Sequence, residues 1–204
     1  MVELRQLKKD RTRAALVDAA MRLFAERGYE ATTIADIAAA AEVGTRTFFR
    51  YFASKDEVLF PDGERRVQAA LEAIAGRHTD ERPGAVLVRA LDLAGLTGSA
   101  PEDGVDPLRL QIIHSVPTAA GYALRLQRDA QRRISRALQE AFPSSLDEIG
   151  AAAIVGAFVG AFTGATAAAA ESGLTAGARR LAVAEAVAAT LSTDLRPQVA
   201  LLGL

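Results

Sequence analysis

Apolar residues in this chain recur at intervals of three and four, and no stretch alternates apolar with polar residues convincingly. That period is helical, because positions i, i+3 and i+4 share one face of a helix. A first helix is expected from about Leu7 to Arg27, burying Leu16, Ala20, Leu23 and Phe24. Gly28 stands where a left-handed residue would stop it. A second helix opens at Thr32 or Thr33, where Thr33 and Asp36 have capping-box spacing. It carries Ile34, Ile37, Ala38 and Ala41 on one side and ends near Glu42. After a tight turn at Val43-Gly44, a short third helix covers residues 45–52. Ser54 is placed to cap a fourth helix with Asp56 and Glu57 in its first turn, and Pro61-Asp62-Gly63 then interrupts or bends it.

Helical pattern resumes from Glu64 to about Gly76. The linker HTDERPG precedes a helix over 84–96, GSAPEDG marks a loop, and a short helix follows over 107–114. The long helix expected over 118–142 carries a four-spaced row: Tyr122, Leu126, Ala130, Ile134, Leu138 and Phe142. Arg125, Arg128, Arg132, Arg133 and Arg136 lie on its other face. Such a face suits nucleic acid, but a solvated, salt-bridged face is the favoured reading. Further helices are expected over 145–172 and 176–194, the last with Leu181, Ala184, Val187, Ala188 and Leu191 inward. The fold class is therefore all-α, with about nine or ten helices and no strands.

The stretch from Gly150 to Ala170 has no charge and is long enough to span a bilayer. Its alanine, glycine and threonine drive insertion weakly, and no basic cluster sits beside it, so a membrane partner is not expected. Ala152, Gly156, Gly160, Gly164 and Ala168 form a small-residue row, and Ile154, Phe158 and Phe162 form a bulky row about 200° away. The bulky side can fill a core or line a pocket. The bare side lets another helix approach closely, as in a dimer interface built from the last two helices of each subunit, with Gly156, Gly160 and Gly164 at the contact.

Composition narrows the function classes. The chain has 204 residues, half of them hydrophobic, with net charge −1 and no cysteine. Disulfides, zinc fingers, iron–sulfur clusters and thiol catalysis are excluded. Two histidines, His78 and His114, leave little for metal or triad chemistry, and no glycine-rich phosphate loop or nucleophile elbow occurs. No enzyme activity, cofactor or metal is expected. Charge runs through MVELRQLKKDRTR without an apolar h-region, so a cytoplasmic location is expected. Residues 1–56 hold ten Lys/Arg against eight Asp/Glu, a net of +2, and the remainder nets −3. A basic end suits a phosphate-facing tip, and a solvated helix start explains it equally well.

Two short helices joined by a tight turn describe a helix-turn-helix, whose second helix enters the DNA major groove. Phe48 and Phe52 are four apart and should pack on Ile37, Ala38 and Phe24. Thr45, Arg46, Thr47, Arg50 and Tyr51 then point outward, a set suited to bases and phosphates. The segments LFAERGYEATT (23–33), IAAAAEV (37–43), TFFRYF (47–52) and SK (54–55) resemble the DNA-binding domain of the TetR family of bacterial regulators. Gly44 stands where the family usually has serine, Arg46 replaces a common glycine, Phe49 a frequent tyrosine, and Tyr51 a frequent histidine. Phe49 keeps only packing against the DNA backbone, while Tyr51 can offer a phosphate bond.

The resemblance implies phosphate contacts from Thr33 and Lys55. It also implies a DNA-binding domain over 1–56, a ligand-binding and dimerisation domain over 57–204, and a homodimer. A DNA-binding transcriptional regulator is the leading reading: a ligand-responsive repressor on a palindromic operator. A helical protein-interaction module without DNA binding is the alternative. The effector is a small molecule of unknown identity. Phe60, Tyr122, Phe158 and Phe162 are candidate apolar contacts for it, and Arg89, Arg109 and His114 candidate polar ones, although each residue also suits a core or surface role.

Overall fold

The computed structural model describes residues 2–93 and 107–192, and every regular element among them is helical. In order these are α1 (Val2–Arg27), α2 (Ile34–Ala40), α3 (Thr45–Tyr51) and a 3-10 helix (Asp56–Leu59). They continue with α4 (Gly63–Ala75), α5 (Pro83–Leu93), α6 (Pro107–Ser115), α7 (Pro117–Ala141), α8 (Glu148–Glu171) and α9 (Ala176–Ser192). The chain divides into two compact units, residues 1–64 with 105–127, and residues 65–104 with 128–204.

In the first unit, α1 lays Leu16, Ala20, Leu23 and Phe24 into a core shared with Ile37, Ala38, Phe48, Phe52, Val58 and Leu59. Gly28 ends α1 in the left-handed region at φ +83°, with its N–H bonded to the Phe24 carbonyl at 3.0 Å. Ile112 of α6 and Ala119 of α7 close the same core. The fourth helix expected at Ser54 is instead a four-residue 3-10 turn. Lys55, not Ser54, holds the N-cap position of that turn, although the Ser54 Oγ accepts the Glu57 N–H at 3.2 Å. The chain breaks at Phe60-Pro61-Asp62, and α4 begins only at Gly63. Proline lacks the N–H a continuing helix needs, which accounts for a full interruption here.

In the second unit, α4, α5, α7 and α8 share a core of Ala73, Ile74, Val86, Leu87, Ile134, Leu138 and Val155. A smaller cluster joins Leu91 of α5 to Ala169 of α8 and Val183 and Val187 of α9. Leu181, expected inside, is 56% exposed, and Val183 takes the inward position. Val183 is four residues before Val187, so the two share one stripe from which Leu181 is rotated away. The part of the expected 84–96 helix beyond Leu93, the GSAPEDG loop and residues 193–194 lie outside the described residues.

The linker before α5 is fastened by one ion pair. The Arg89 guanidinium grips Glu81 through Nε–Oε1 and Nη2–Oε2, both at 2.9 Å, and Nη2 also donates to the Ala73 carbonyl at 2.8 Å. Glu81 accepts the His78 backbone N–H at 3.1 Å as well. Arg89 holds the Glu81 carboxyl down at about 2, from an ordinary 4.5, with partial burial opposing and the His78 N–H assisting. A depressed carboxyl contributes stability in full above its unfolded pKa and loses it as pH falls through the folded value. Urea unfolding of wild type and Glu81→Gln should therefore differ at pH 7, and the difference should shrink between pH 4.5 and 2. A difference that stays constant across that window would show that Glu81 carries no such linkage.

Candidate nucleic-acid interface

Residues 33–55 fold as the spacing of their apolar positions suggests. Thr33 caps α2: its Oγ accepts the Asp36 N–H at 3.1 Å, and the Asp36 carboxylate accepts the Thr33 backbone N–H at 2.9 Å. The same two Thr33 groups hold the Asp36 carboxyl below its usual range. The sharp turn comes one residue earlier than expected. Glu42 adopts the left-handed conformation at φ +57°, while Gly44 sits extended at φ −79° as the N-cap of α3. An L-residue in that region costs on the order of 1 kcal/mol, so the turn is strained where glycine would not be. Gly44 offers α3 no side-chain cap.

Phe48 and Phe52 are fully buried and fix which way α3 faces. Thr45, Arg46, Phe49 and Arg50 are consequently exposed, and Thr47 and Tyr51 are half-buried at the edges. Phe49 is 57% exposed and meets Phe48 edge-on at 5.6 Å. The Arg50 guanidinium lies 5.2 Å from the Tyr51 ring centre. A short helix thus displays two guanidinium groups, three hydroxyls (Thr45, Thr47 and Tyr51) and the open Phe49 ring. That is donor chemistry for phosphate and for guanine O6/N7, with an apolar surface for a thymine methyl or a sugar.

Two cations brace this pair of helices from within. Lys55 donates to the backbone carbonyls of Tyr29 at 2.7 Å and Thr32 at 2.9 Å, with its ammonium 4.2 Å from the Tyr29 ring centre. Any phosphate contact by Lys55 would have to coexist with those two bonds. The Tyr29 hydroxyl donates to Asp56 at 2.6 Å, and burial, then that bond, raises its pKa above the usual phenol value. At the other end, Arg13 of α1 donates to the carbonyls of Tyr51 and Pro61 and lies 4.4 Å from the Phe52 ring centre. The sequence reading did not single out Arg13. Its partners lie 38 and 48 residues away, beyond any local spacing.

The candidate effector contacts distribute differently. In the first unit, Phe60 and Tyr122 stack with ring centres 5.6 Å apart, His114 is exposed, and Arg109 holds a buried Nε without a hydrogen-bond partner. Burial raises the Tyr122 hydroxyl's pKa, with the Glu57 and Asp56 charges adding to it. In the second unit, Phe158 and Phe162 pack half-buried against the small α5–α8–α9 cluster, and Arg89 is committed to Glu81 and Ala73. On α8, Gly156 is half-buried, Gly160 and Gly164 are exposed, and a Cβ at any of the three would meet nothing within 4 Å. The α7 arginine face is partly salt-bridged, with Arg132 and Arg133 reaching Asp129 at 2.9 and 3.9 Å.

Residues 16–60, which span this braced helix pair, match the family described as bacterial regulatory proteins, tetR family. The chain is 33% identical to the HTH-type transcriptional regulator TcmR of Streptomyces glaucescens over 150 residues, covering 71% of this chain and 66% of TcmR. The chain belongs to the TetR family. It is also 37% identical over 91 residues to the HTH-type transcriptional repressor Rv3405c of Mycobacterium tuberculosis, covering 43% of this chain and 44% of that protein. The matches thus span about two thirds of TcmR's length and less than half of Rv3405c's. The crystal structure of a transcriptional regulator from Aquifex aeolicus VF5 shares the fold, with a TM-score of 0.52 at 19% identity, over 85% of this chain and 96% of that one.

Within the TetR-family pattern, the departures at positions 44, 46, 49 and 51 all fall on α3 or its cap. Arg46 and Phe49 are exposed, and Tyr51 sits half-buried beside Arg50. This TetR-family member therefore differs from the family's usual run mainly on the face that α3 presents, not in the residues that anchor it.

Proposed function

We propose that this TetR-family chain is a cytoplasmic, DNA-binding transcriptional repressor that reads a palindromic operator as a homodimer and answers to a small-molecule effector. The observation that carries the DNA reading is the two-sidedness of α3: Phe48 and Phe52 are buried while Thr45, Arg46, Phe49 and Arg50 face out. Thr47 and Tyr51 extend that set at its edges, and Thr33 adds a phosphate contact at the start of α2. Lys55 holds the loop before α2 and reaches the backbone only if its internal bonds permit. Residues 1–56 form the DNA-binding domain, and 57–204 the effector-binding and dimerisation domain. Repression is supported by the similarity to Rv3405c, a transcriptional repressor.

The dimer reading rests on α8. Glu148–Ala169 has a mean hydropathy of 1.7 and is long and apolar enough to cross a membrane, yet only 11% of it is buried within the chain. Its buried side, Ala151 and Val155, faces the chain's own core, and its glycine row faces out. An apolar, glycine-lined face favours close approach of the same helix from a second copy. Small residues there make bilayer insertion weakly driven. Two recognition helices held by one dimer match the two half-sites of a palindrome. For the effector, Phe60, Tyr122, Arg109 and His114, all of the first unit, form one set of proposed contacts, and Phe158 and Phe162, of the second unit, form a separate one. Arg89 is the weakest of the set, because Glu81 already occupies it.

Selection of duplexes from a random pool tests the DNA reading, and should return a two-fold symmetric consensus. On that consensus Arg46→Ala should cost roughly 1–3 kcal/mol and relax preference at one base pair per half-site. Unchanged affinity and selectivity would remove Arg46 from the readout.

Gly160→Leu tests the dimer. Open space around Gly160 means the side chain fits the single chain, where leucine is also the better helix former. Melting temperature of the isolated chain should hold or rise, while overpacking weakens the dimer by about 1–3 kcal/mol. Sedimentation equilibrium reads that loss directly. An unchanged dimer in the variant would place the interface elsewhere.

A further inference from the structure

We propose that Arg13 is a positioning residue for DNA reading: it fixes the C-terminal end of the recognition helix to the chain break before α4, and does so without touching DNA. The inference rests on the DNA reading of α3 given above and concerns how that helix is aimed.

The geometry of a single guanidinium carries the proposal. Nη1 of Arg13 donates to the Tyr51 carbonyl at 3.0 Å, and Tyr51 is the last residue of α3. Nε and Nη2 both donate to the Pro61 carbonyl, at 3.2 and 2.8 Å. The same group lies over the Phe52 ring with its centre 4.4 Å away. Three donors and one flat face are thus spent on two backbone carbonyls and the aromatic residue that anchors α3. The last carbonyls of a helix have no intrahelical partner, and a cation there is favoured by the helix dipole. A helix of seven residues has few bonds of its own, so its tilt is set jointly by the burial of Phe48 and Phe52 and by this tether at its end.

Because both acceptors are backbone atoms, the tether is indifferent to which side chains stand at positions 51 and 61. It depends on the chain path, and a shift of the Pro61 carbonyl is felt at Tyr51 through one rigid plane. Lysine cannot replace it, since an ammonium has no planar fork and does not stack in the same way. The work is therefore divided between residues of the open α3 face, such as Arg46, and Arg13 of α1, half-buried behind them, which sets where they point.

The test uses full-length Arg13→Lys and a duplex enriched from a random pool by the wild-type protein. Affinity for that duplex and for a scrambled duplex is measured across a salt series, and melting temperature alongside. The expected result is a drop of roughly tenfold in the ratio of selected to scrambled affinity, the scale of losing charge-assisted hydrogen bonds. The salt slope stays unchanged. A slope reduced by about one, with both duplexes weakened alike, would make Arg13 a phosphate ligand and overturn the proposal. A lowered melting temperature with selectivity intact in the folded protein would leave Arg13 a stabilising residue only, and overturn it too.

If Arg13→Lys does not fold, solvent exchange of the Arg13 Nε–H in the wild type decides. Slow exchange in both the free and DNA-bound protein supports the tether, and exchange that becomes fast on DNA overturns it. A wild-type protein that enriches no sequence fails differently, because it removes the DNA reading on which the proposal stands.

Discussion

A helix of two turns has almost no stability of its own. Isolated helices shorter than about 12–15 residues are marginal in water, so α2 and α3, at seven residues each, stand only because other parts of the chain hold them. Phe48 and Phe52 supply most of that hold by complete burial against α1 and α2. Truncating a buried phenylalanine of this kind typically costs about 3–5 kcal/mol, a large share of a domain's stability. Burial alone would still leave both ends of the pair to fray. Lys55 ties down the loop ahead of α2, and Arg13 ties down the end of α3. Everything exposed on α3 inherits its direction from these four residues.

That dependence explains the pattern of departures from the TetR family's usual run. Phe48, Phe52 and Lys55 lie within the stretch that matches the family, and the altered positions 46 and 49 are exposed. A face that must recognise one particular DNA sequence is free to change as long as its support does not. The strained Glu42 turn fits the same view: the core on either side, Ile37 and Ala38 before it and Phe48 after it, determines the turn whether or not position 42 suits it.

Much of this was legible in the sequence because it is local. The Thr33–Asp36 cap, the Gly28 stop, the Phe48–Phe52 spacing and the break at Pro61 all depend on residues within a few positions of one another. The fold class and the family followed from the same short-range signals. What escaped was long-range or degenerate. Arg13, Lys55 and Arg89 are ordinary charged residues in sequence, and only the folded chain shows that each is occupied by backbone carbonyls or a carboxylate. Leu181 faces outward against expectation because α9 is rich in alanine, so several of its faces look equally apolar until α5 and α8 select one. The 3-10 turn at 56–59 resembles a helix start in sequence, because a serine three residues before a glutamate suits either.

The central claim is that the exposed face of α3, aimed from within, is the surface that meets DNA. Position 49 tests it most directly, because the ring there is open to solvent and can be exchanged for a benzophenone side chain without disturbing the core. Irradiation of that protein with its selected duplex should give covalent adducts at deoxyribose or thymine methyl carbons within each half-site. A duplex that binds but forms no adduct from position 49, while the same photoreactive group on the α7 arginine face does form one, would contradict the account.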